Sequence, residues 1–599
     1  MTLIEPVANF LWGPWTPWIL LAAGILFTVW TRFAQALALT HGVAVIRGVY
    51  DDPKDPGAIN HFQALSAALS ATVGLGNIGG VALAIGMGGP GALFWIWIVG
   101  LFGMALKSVE VTLAMLYRNT DDPDNPHGGA MWVVHHVVGG KGGVWKPIAR
   151  GIGTFFCITL LVSAFTGGNM FQCWNVAKLT ERYFGVPRLA VGIVVAALVG
   201  AVIIGGIKRI GQVASKLVPF MCILYVLSAL SVLAVNVQEI PSMLGLVVTS
   251  AFRPSEAGGA FLGATVGYAF MEGMKRSLFS NEAGQGSAPI AHAAAKTDEP
   301  AREGVVAGLE PFIDTLCVCT LTALVILLTG TWNREAIGDF GAEVELVPVE
   351  GNALAWDVRS EGDGLDRLPP LQFDRWRARD VFYLVGEVQG ATRVDTDSNR
   401  VAVEAEIVSR RAGLKGADEE AGPEAPEGLR FVWKRVELKP ADWDGTPSGL
   451  VLTGRGVYPR YEGANLTAHA FDREFPGLGK WLVTLAAWLF AFSTMISWSY
   501  YGEQGVVYMT GGRGVLAYKL LFLAGIVYAA DGIDSAKEMI NLMDLGTGAM
   551  LWSNIPIVLA LGFLAVRSLN DYRRRLRAGE MPRHKAPPMA DVMDGRDVE

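Results

Sequence analysis

This chain is short of charge, of cysteine and of histidine. Asp, Glu, Lys and Arg make up only 18% of its 599 residues, against about a quarter in soluble domains. The five cysteines, Cys157, Cys173, Cys222, Cys317 and Cys319, stand in apolar runs, which excludes a spaced disulfide framework and a zinc-type ligand set. Cys317-x-Cys319 reads as core packing. His61, His127, His135, His136 and His292 fall near the ends of apolar runs or in connections, so they read as interfacial groups and not as ligands. No basic stripe marks a nucleic-acid partner. No nucleophile and base are grouped by motif, so the chain is not expected to be an enzyme or to need an organic cofactor. The start carries neither the basic leader nor the small-residue cleavage site of a signal peptide, and the run from Trp15 to Ala34 is expected to be a retained helix.

What is present is apolar length. Hydrophobic residues make up 51% of the chain and the mean hydropathy is +0.36, which makes the bilayer the expected solvent. Runs of about 20 apolar residues, each able to cross roughly 30 Å of hydrocarbon, fall near 15–34, 64–87, 91–117, 151–178, 186–206, 214–236, 261–284, 304–330, 478–508, 514–530 and 535–567. The expected fold is an all-α polytopic membrane protein of about eleven helices.

One stretch departs from this pattern. Thr331 to Phe475 holds 18 Lys or Arg and 27 Asp or Glu in 145 residues, and its balance of -9 exceeds the -7 of the whole chain. Segments 343–349, 381–388 and 401–407 alternate as strands do, between Gly, Pro and Asp punctuation. The domain reading is therefore a membrane part over 1–330, a soluble β-rich insert over 331–475, a second membrane part over 476–570 and a basic, disordered tail over 571–599. The insert is expected to fold separately and to be dispensable for the work of the membrane part.

Basic residues set the orientation. Arg47, Lys54, Arg118, Lys146, Arg150, Lys208, Arg209, Lys296, Arg302, Arg513 and the arginines from Arg567 to Arg577 fall on one side of the eleven runs, which is the cytoplasm by the positive-inside rule. Lys178, Arg182 and Arg188 oppose this. The N-terminus and the insert are then expected outside and the C-terminus inside, in a plasma or inner membrane.

The chain reads SATVGLGNIGG from Ser70 to Gly80, and glycines at this density with an asparagine do not suit an unbroken helix. Gly74-x-Gly76-x-x-Gly79 matches the dinucleotide fingerprint but lacks the soluble strand and helix on either side of it. Broken membrane helices aim half-helix N–H groups at an anionic substrate and unwound carbonyls at a cation. A carboxylate would then sit at the N–H groups of Leu75 and Gly76. Sodium would sit at the carbonyls of Ser70 and Val73 and the side chains of Thr72 and Asn77. A second break is expected five helices later, where SNEAGQGSAP runs from Ser280 to Pro289 and brings Glu282 with it. Asn169, Gln172 and Asn175 lie on another run, and Ser493, Thr494, Ser497 and Trp498 on another. Hydroxyl oxygens suit sodium, and an indole suits the wall of a small-substrate site.

These residues carry a resemblance. VGLGNIGGVALAIGMGGPGALFWIWIVGLFGMALKSVEVTLAMLYR from Val73, LFSNEAGQGSAPIAHAAAKTDEPAREG from Leu278, PFIDTLCVCTLTALVI from Pro311 and AFSTMISWSYYGE from Ala491 resemble the alanine or glycine:cation symporters, which share the leucine-transporter fold. The resemblance implies a 5+5 inverted repeat after one N-terminal helix and sodium-driven uptake of alanine or glycine across the lipid bilayer. It implies Leu75, Gly76, Asn77, Thr72, Gln172, Asn169, Phe279 and Trp498 at the substrate, and Ser70, Val73, Ser493 and Thr494 at sodium. The chain departs from the family pattern at Gln285, where leucine is usual, at Trp174, where asparagine is usual, at Ala130, where proline is usual, and in its acidic insert. Two further readings rest on the same residues: a proton-coupled or channel-like carrier, and a membrane sensor working through the insert.

Overall fold

The computed structural model of the chain describes residues 4–581 apart from Pro53, Phe373, 410–428, Glu462 and Asp534. Among the described residues eight helices are long and apolar enough to cross a bilayer: Ile4–Trp30, Gly91–Leu116, Trp145–Phe184, Gly206–Val235, Pro300–Leu328, Gly479–Thr510, Val515–Gly532 and Lys537–Ala578. The bent pair His61–Thr72 and Gly76–Gly88, whose halves are inclined by 48°, has the length and composition of a ninth when taken as one span. The chain is therefore a polytopic helical membrane protein.

Two expected runs are shorter than a crossing. Arg188–Ile203 has 16 residues, about 24 Å at the helical rise. Val266–Asn281 also has 16 and carries Glu272, Lys275 and Arg276. It stops because Glu282 turns left-handed, with φ +55°, and Gly284 and Gly286 follow at φ +88° and +78°. The chain resumes as the short helix Ala288–His292. The last helix runs on to Ala578, past the expected boundary at 570, and residues 582–599 lie outside the described residues.

The insert is β-rich. β1 (Val344–Val349) pairs antiparallel with β2 (Asn352–Ser360), and β6 (Val436–Glu437) joins β2. The larger sheet has the order β5 (Leu429–Trp433), β4 (Arg400–Ser409), β3 (Val381–Arg393), β7 (Trp443–Leu452), with β8 (Tyr458–Pro459) against β3. Phe340, Phe382, Val403, Ile407 and Phe431 are fully or almost fully buried between the elements. This small core is separate from the one that runs through the membrane helices.

The insert is not an isolated module. Arg182 donates to Asp380 at 2.6 Å, Tyr383 Oη donates to the Ala260 carbonyl at 2.7 Å, and Thr265 Oγ1 donates to the Asp395 carbonyl at 3.0 Å. The last part of the expected 331–475 insert is not β but a helix, Ala464–Glu474, whose Thr467 Oγ1 donates to the Ile78 carbonyl at 3.1 Å, inside the first helix break. Alternation in the sequence disclosed β1, β3 and β4, but these ties are long-range and leave no local pattern.

Candidate functional site

Helix His61–Thr72 begins at a capping box in which Asn60 and Gln63 satisfy each other's backbone N–H groups. It ends because Val73 leaves helical geometry, with ψ +86°. The freed N–H of Gly74 donates to Asn77 Oδ1 at 2.8 Å, and that of Leu75 reaches Gln172 Oε1 at 3.4 Å. A wide turn, Gly76–Gly80, then starts the second half. Glycine is required at 74 for space, since a Cβ there would lie 2.6 Å from Thr494 Oγ1.

The two breaks face each other across a small cavity. Thr72, Gly74 and Gly76 line it from the first break, and Phe279, Glu282 and Gln285 from the second. Gly167 and Gln172 close a third wall, Thr494 and Trp498 a fourth, and Thr547 a fifth. Trp498 Nε1 donates to Glu282 Oε1 at 3.0 Å, and Ser287 Oγ to Glu282 Oε2 at 2.5 Å. Phe171 and Phe279 pack edge to face at 5.3 Å beside the cavity.

Of the expected substrate residues, Thr72, Gly76, Gln172, Phe279 and Trp498 thus meet at one cavity. Leu75, Asn77 and Asn169 lie beside it and do not line it. Asn77 spends its amide N–H groups on Ser280 Oγ at 2.9 Å and Asp314 Oδ1 at 2.5 Å, and its oxygen on Gly74. It pins the break in place. Asn169 Nδ2 donates to the Phe522 carbonyl at 2.7 Å and so holds a neighbouring helix.

The residues expected at sodium also converge. Ser70 Oγ donates to the Ser493 carbonyl at 2.6 Å, and Ser493 Oγ faces the Ser70 carbonyl at 3.3 Å. Val73 is fully buried next to them. Thr494 Oγ1 is buried without a hydrogen-bond partner, so a hard oxygen is left over where the helix has opened.

The sequence reading missed how many charges the bundle buries. Asp314 is fully buried and is held by neutral donors: Asn77, Ser280 Oγ at 2.8 Å and Thr315 Oγ1 at 2.8 Å. His61 and His292 are not interfacial, because both are fully buried. His61 pairs with Glu303, Glu303 with His292 at 2.5 Å, His292 with Glu310 at 2.6 Å, and Glu310 with Lys107 at 2.9 Å. Lys107 lies within electrostatic reach of Glu282, and Asp51, 3.8 Å from His61, is the partly exposed far end. A buried charge is tolerated only when paired, and here the two acids Glu303 and Glu310 of helix Pro300–Leu328 meet His61, His292 and Lys107 from three other helices. The separations in sequence, up to 242 residues, gave no motif to find.

The Sodium:alanine symporter family model matches residues 1–348 and 445–586. The chain belongs to the sodium:alanine symporter family. It is accordingly a multi-pass symporter and not an enzyme, and the match skips most of the β-rich insert. The sodium/alanine symporter AgcS of Methanococcus maripaludis is 32% identical over 577 residues, covering 96% of this chain and 98% of that protein. The sodium/proton-dependent alanine carrier protein of Bacillus sp. strain PS3 is 28% identical over 546 residues, covering 90% and 94%. The probable sodium/glutamine symporter GlnT of Bacillus subtilis is 37% identical over 336 residues, covering 56% and 67%.

Proposed function

We propose that this symporter carries a small neutral amino acid, alanine or glycine in class, into the cell together with sodium by alternating access. The observation that carries the reading is the pair of facing helix breaks around one cavity: backbone N–H groups and an amide on one side suit a carboxylate, and Glu282 opposite suits an ammonium. Ser70, Val73, Ser493 and Thr494 then hold sodium through hard oxygens, and the lipid bilayer is the remaining partner. The reading includes eleven crossing elements in a 5+5 inverted repeat after one N-terminal helix, with the short helices Arg188–Ile203 and Val266–Asn281 completing the count. The N-terminus and the insert face outward and the C-terminus the cytoplasm, as the basic residues require.

Proton coupling is a second reading, supported by the buried chain of ionisable groups from Asp51 to Lys107 beside Glu282. Purified protein in liposomes separates the two. Uptake of labelled alanine is expected to follow an inward sodium gradient and to stay low in choline buffer. Equal uptake in choline under a proton gradient would overturn sodium coupling.

A further inference from the structure

Gln285 lines the cavity and has one atom to spare. The residue is 1% exposed and lines the cavity opposite the first break. Its Nε2 donates to the Leu278 carbonyl at 2.7 Å, and since only the NH₂ end of an amide can donate there, the free end is the oxygen. That oxygen is buried and has no hydrogen-bond partner. An unmade acceptor in such a place is costly, and the cost is removed only by something that donates.

An amino acid offers three groups to a site. The carboxylate cannot bond to an amide oxygen, because both are acceptors. The ammonium has three N–H donors; the strongest partner for it is the full charge of Glu282, since a charge-assisted bond to a carboxylate is stronger than one to a neutral amide. A donor on the substrate side chain is the other group able to meet the oxygen, and amino acids with and without such a donor tell the two apart. The room is small, because Phe279 and Trp498 wall the cavity and a Cβ added at Gly167 would already lie 3.4 Å from Phe279.

We propose that the cavity prefers an amino acid whose side chain ends in a hydroxyl, with serine the smallest, and that Gln285 is the specificity-determining residue that accepts its proton. This rests on the reading of the cavity as the substrate site. Alanine presents a methyl group to Gln285 Oε1, and glycine presents nothing, so both leave that oxygen unpaired.

The test is equilibrium binding of labelled serine, alanine and 2-aminobutyrate to the purified full-length protein in saturating sodium. 2-Aminobutyrate keeps the shape of serine and replaces the hydroxyl with a methyl. Wild type is expected to bind serine about 5- to 150-fold more tightly than either of the others, the range set by one buried acceptor. Gln285→Met keeps the length without the oxygen and is expected to bring the serine-to-alanine affinity ratio to within about threefold of one. Wild type without a serine preference would overturn the inference, and so would a variant in which serine and alanine fall together, since Gln285 would then serve the ammonium. Should Gln285→Met not fold, the wild-type ranking of serine against 2-aminobutyrate decides. Alanine bound in sodium with no preference for serine overturns this inference alone. Failure of all three to bind overturns the substrate-site reading beneath it.

Discussion

Trp498 donates its indole N–H to Glu282 at 3.0 Å, tying the long helix Gly479–Thr510 to the left-handed turn of the second helix break. The bond orients a buried carboxylate at the wall of the cavity and holds the indole as the opposite wall. Trp498→Phe keeps an aromatic surface and leaves Glu282 Oε1 without its donor. One lost buried hydrogen bond costs about 1–3 kcal/mol, so alanine affinity is expected to fall roughly 5- to 150-fold. Equilibrium binding of labelled alanine measures this, and an unchanged affinity would remove the pair from the site.

Gly74→Ala tests the space at the first break. A Cβ there would meet Thr494 Oγ1 at 2.6 Å, closer than real contacts allow, so the hydroxyl must turn away or the break must shift. Sodium-dependent uptake is expected to fall at least about tenfold, a barrier change near 1.4 kcal/mol, while the protein still elutes as a single detergent-solubilised species. Adding Thr494→Ala restores the room without restoring the oxygen, so the double variant is expected to fold well and still require more sodium than wild type.

Asp314→Asn removes a charge and keeps the shape. The carboxylate is held by Asn77, Ser280 and Thr315, and Asn77 in turn pins Gly74. The variant is expected to raise the sodium concentration for half-maximal uptake several-fold by loosening the break and withdrawing its negative field. A sodium titration of uptake in liposomes checks it, and an unaltered half-maximum would show that Asp314 acts on folding alone.

His469 makes the junction between insert and bundle sensitive to acid. It stacks on Tyr461 at 4.3 Å, and burial together with Arg334, Arg473 and Arg182 drives its pKa from the ordinary 6.5 down to about 3. Between those values the unfolded chain binds a proton that the folded one refuses, so stability falls as pH drops from about 6.5 toward 3. The thermal midpoint of wild type is expected to drop more between pH 7.5 and pH 5 than that of His469→Gln. Equal drops would show that other groups set the acid limit.

Much of this was legible in the sequence for local reasons. Twenty apolar residues in a row have one economical solution in a bilayer, so most crossing helices could be placed before any coordinates. Alternation exposed β1, β3 and β4, because side chains on a strand point to opposite faces. The glycines from Gly74 to Gly80 and the turn formers from Ser280 to Pro289 announced both breaks, since backbone that cannot stay helical reveals itself in composition. Gln172 and Trp498 were singled out by asking which polar groups in apolar runs had a reason to be there, and both line the cavity, as does Thr72, which the break had suggested as a cation ligand.

The tertiary structure alone decided which polar groups meet. His61 and His292 stand near the ends of their runs, where solvation is the ordinary expectation, yet both are fully buried between Glu303 and its neighbours. Asn77 looked like a ligand and is a brace, because Ser280 and Asp314 arrive from elements more than 200 residues away. Gln285 stood out in the sequence only as a departure from the family pattern, and packing alone left its oxygen buried with nothing to accept from. The sequence by itself determined the solvent of each segment and where the backbone must break, because hydrophobicity and glycine act within a few residues. Pairing between helices depends on contacts across hundreds of residues, and those were settled only when the bundle closed.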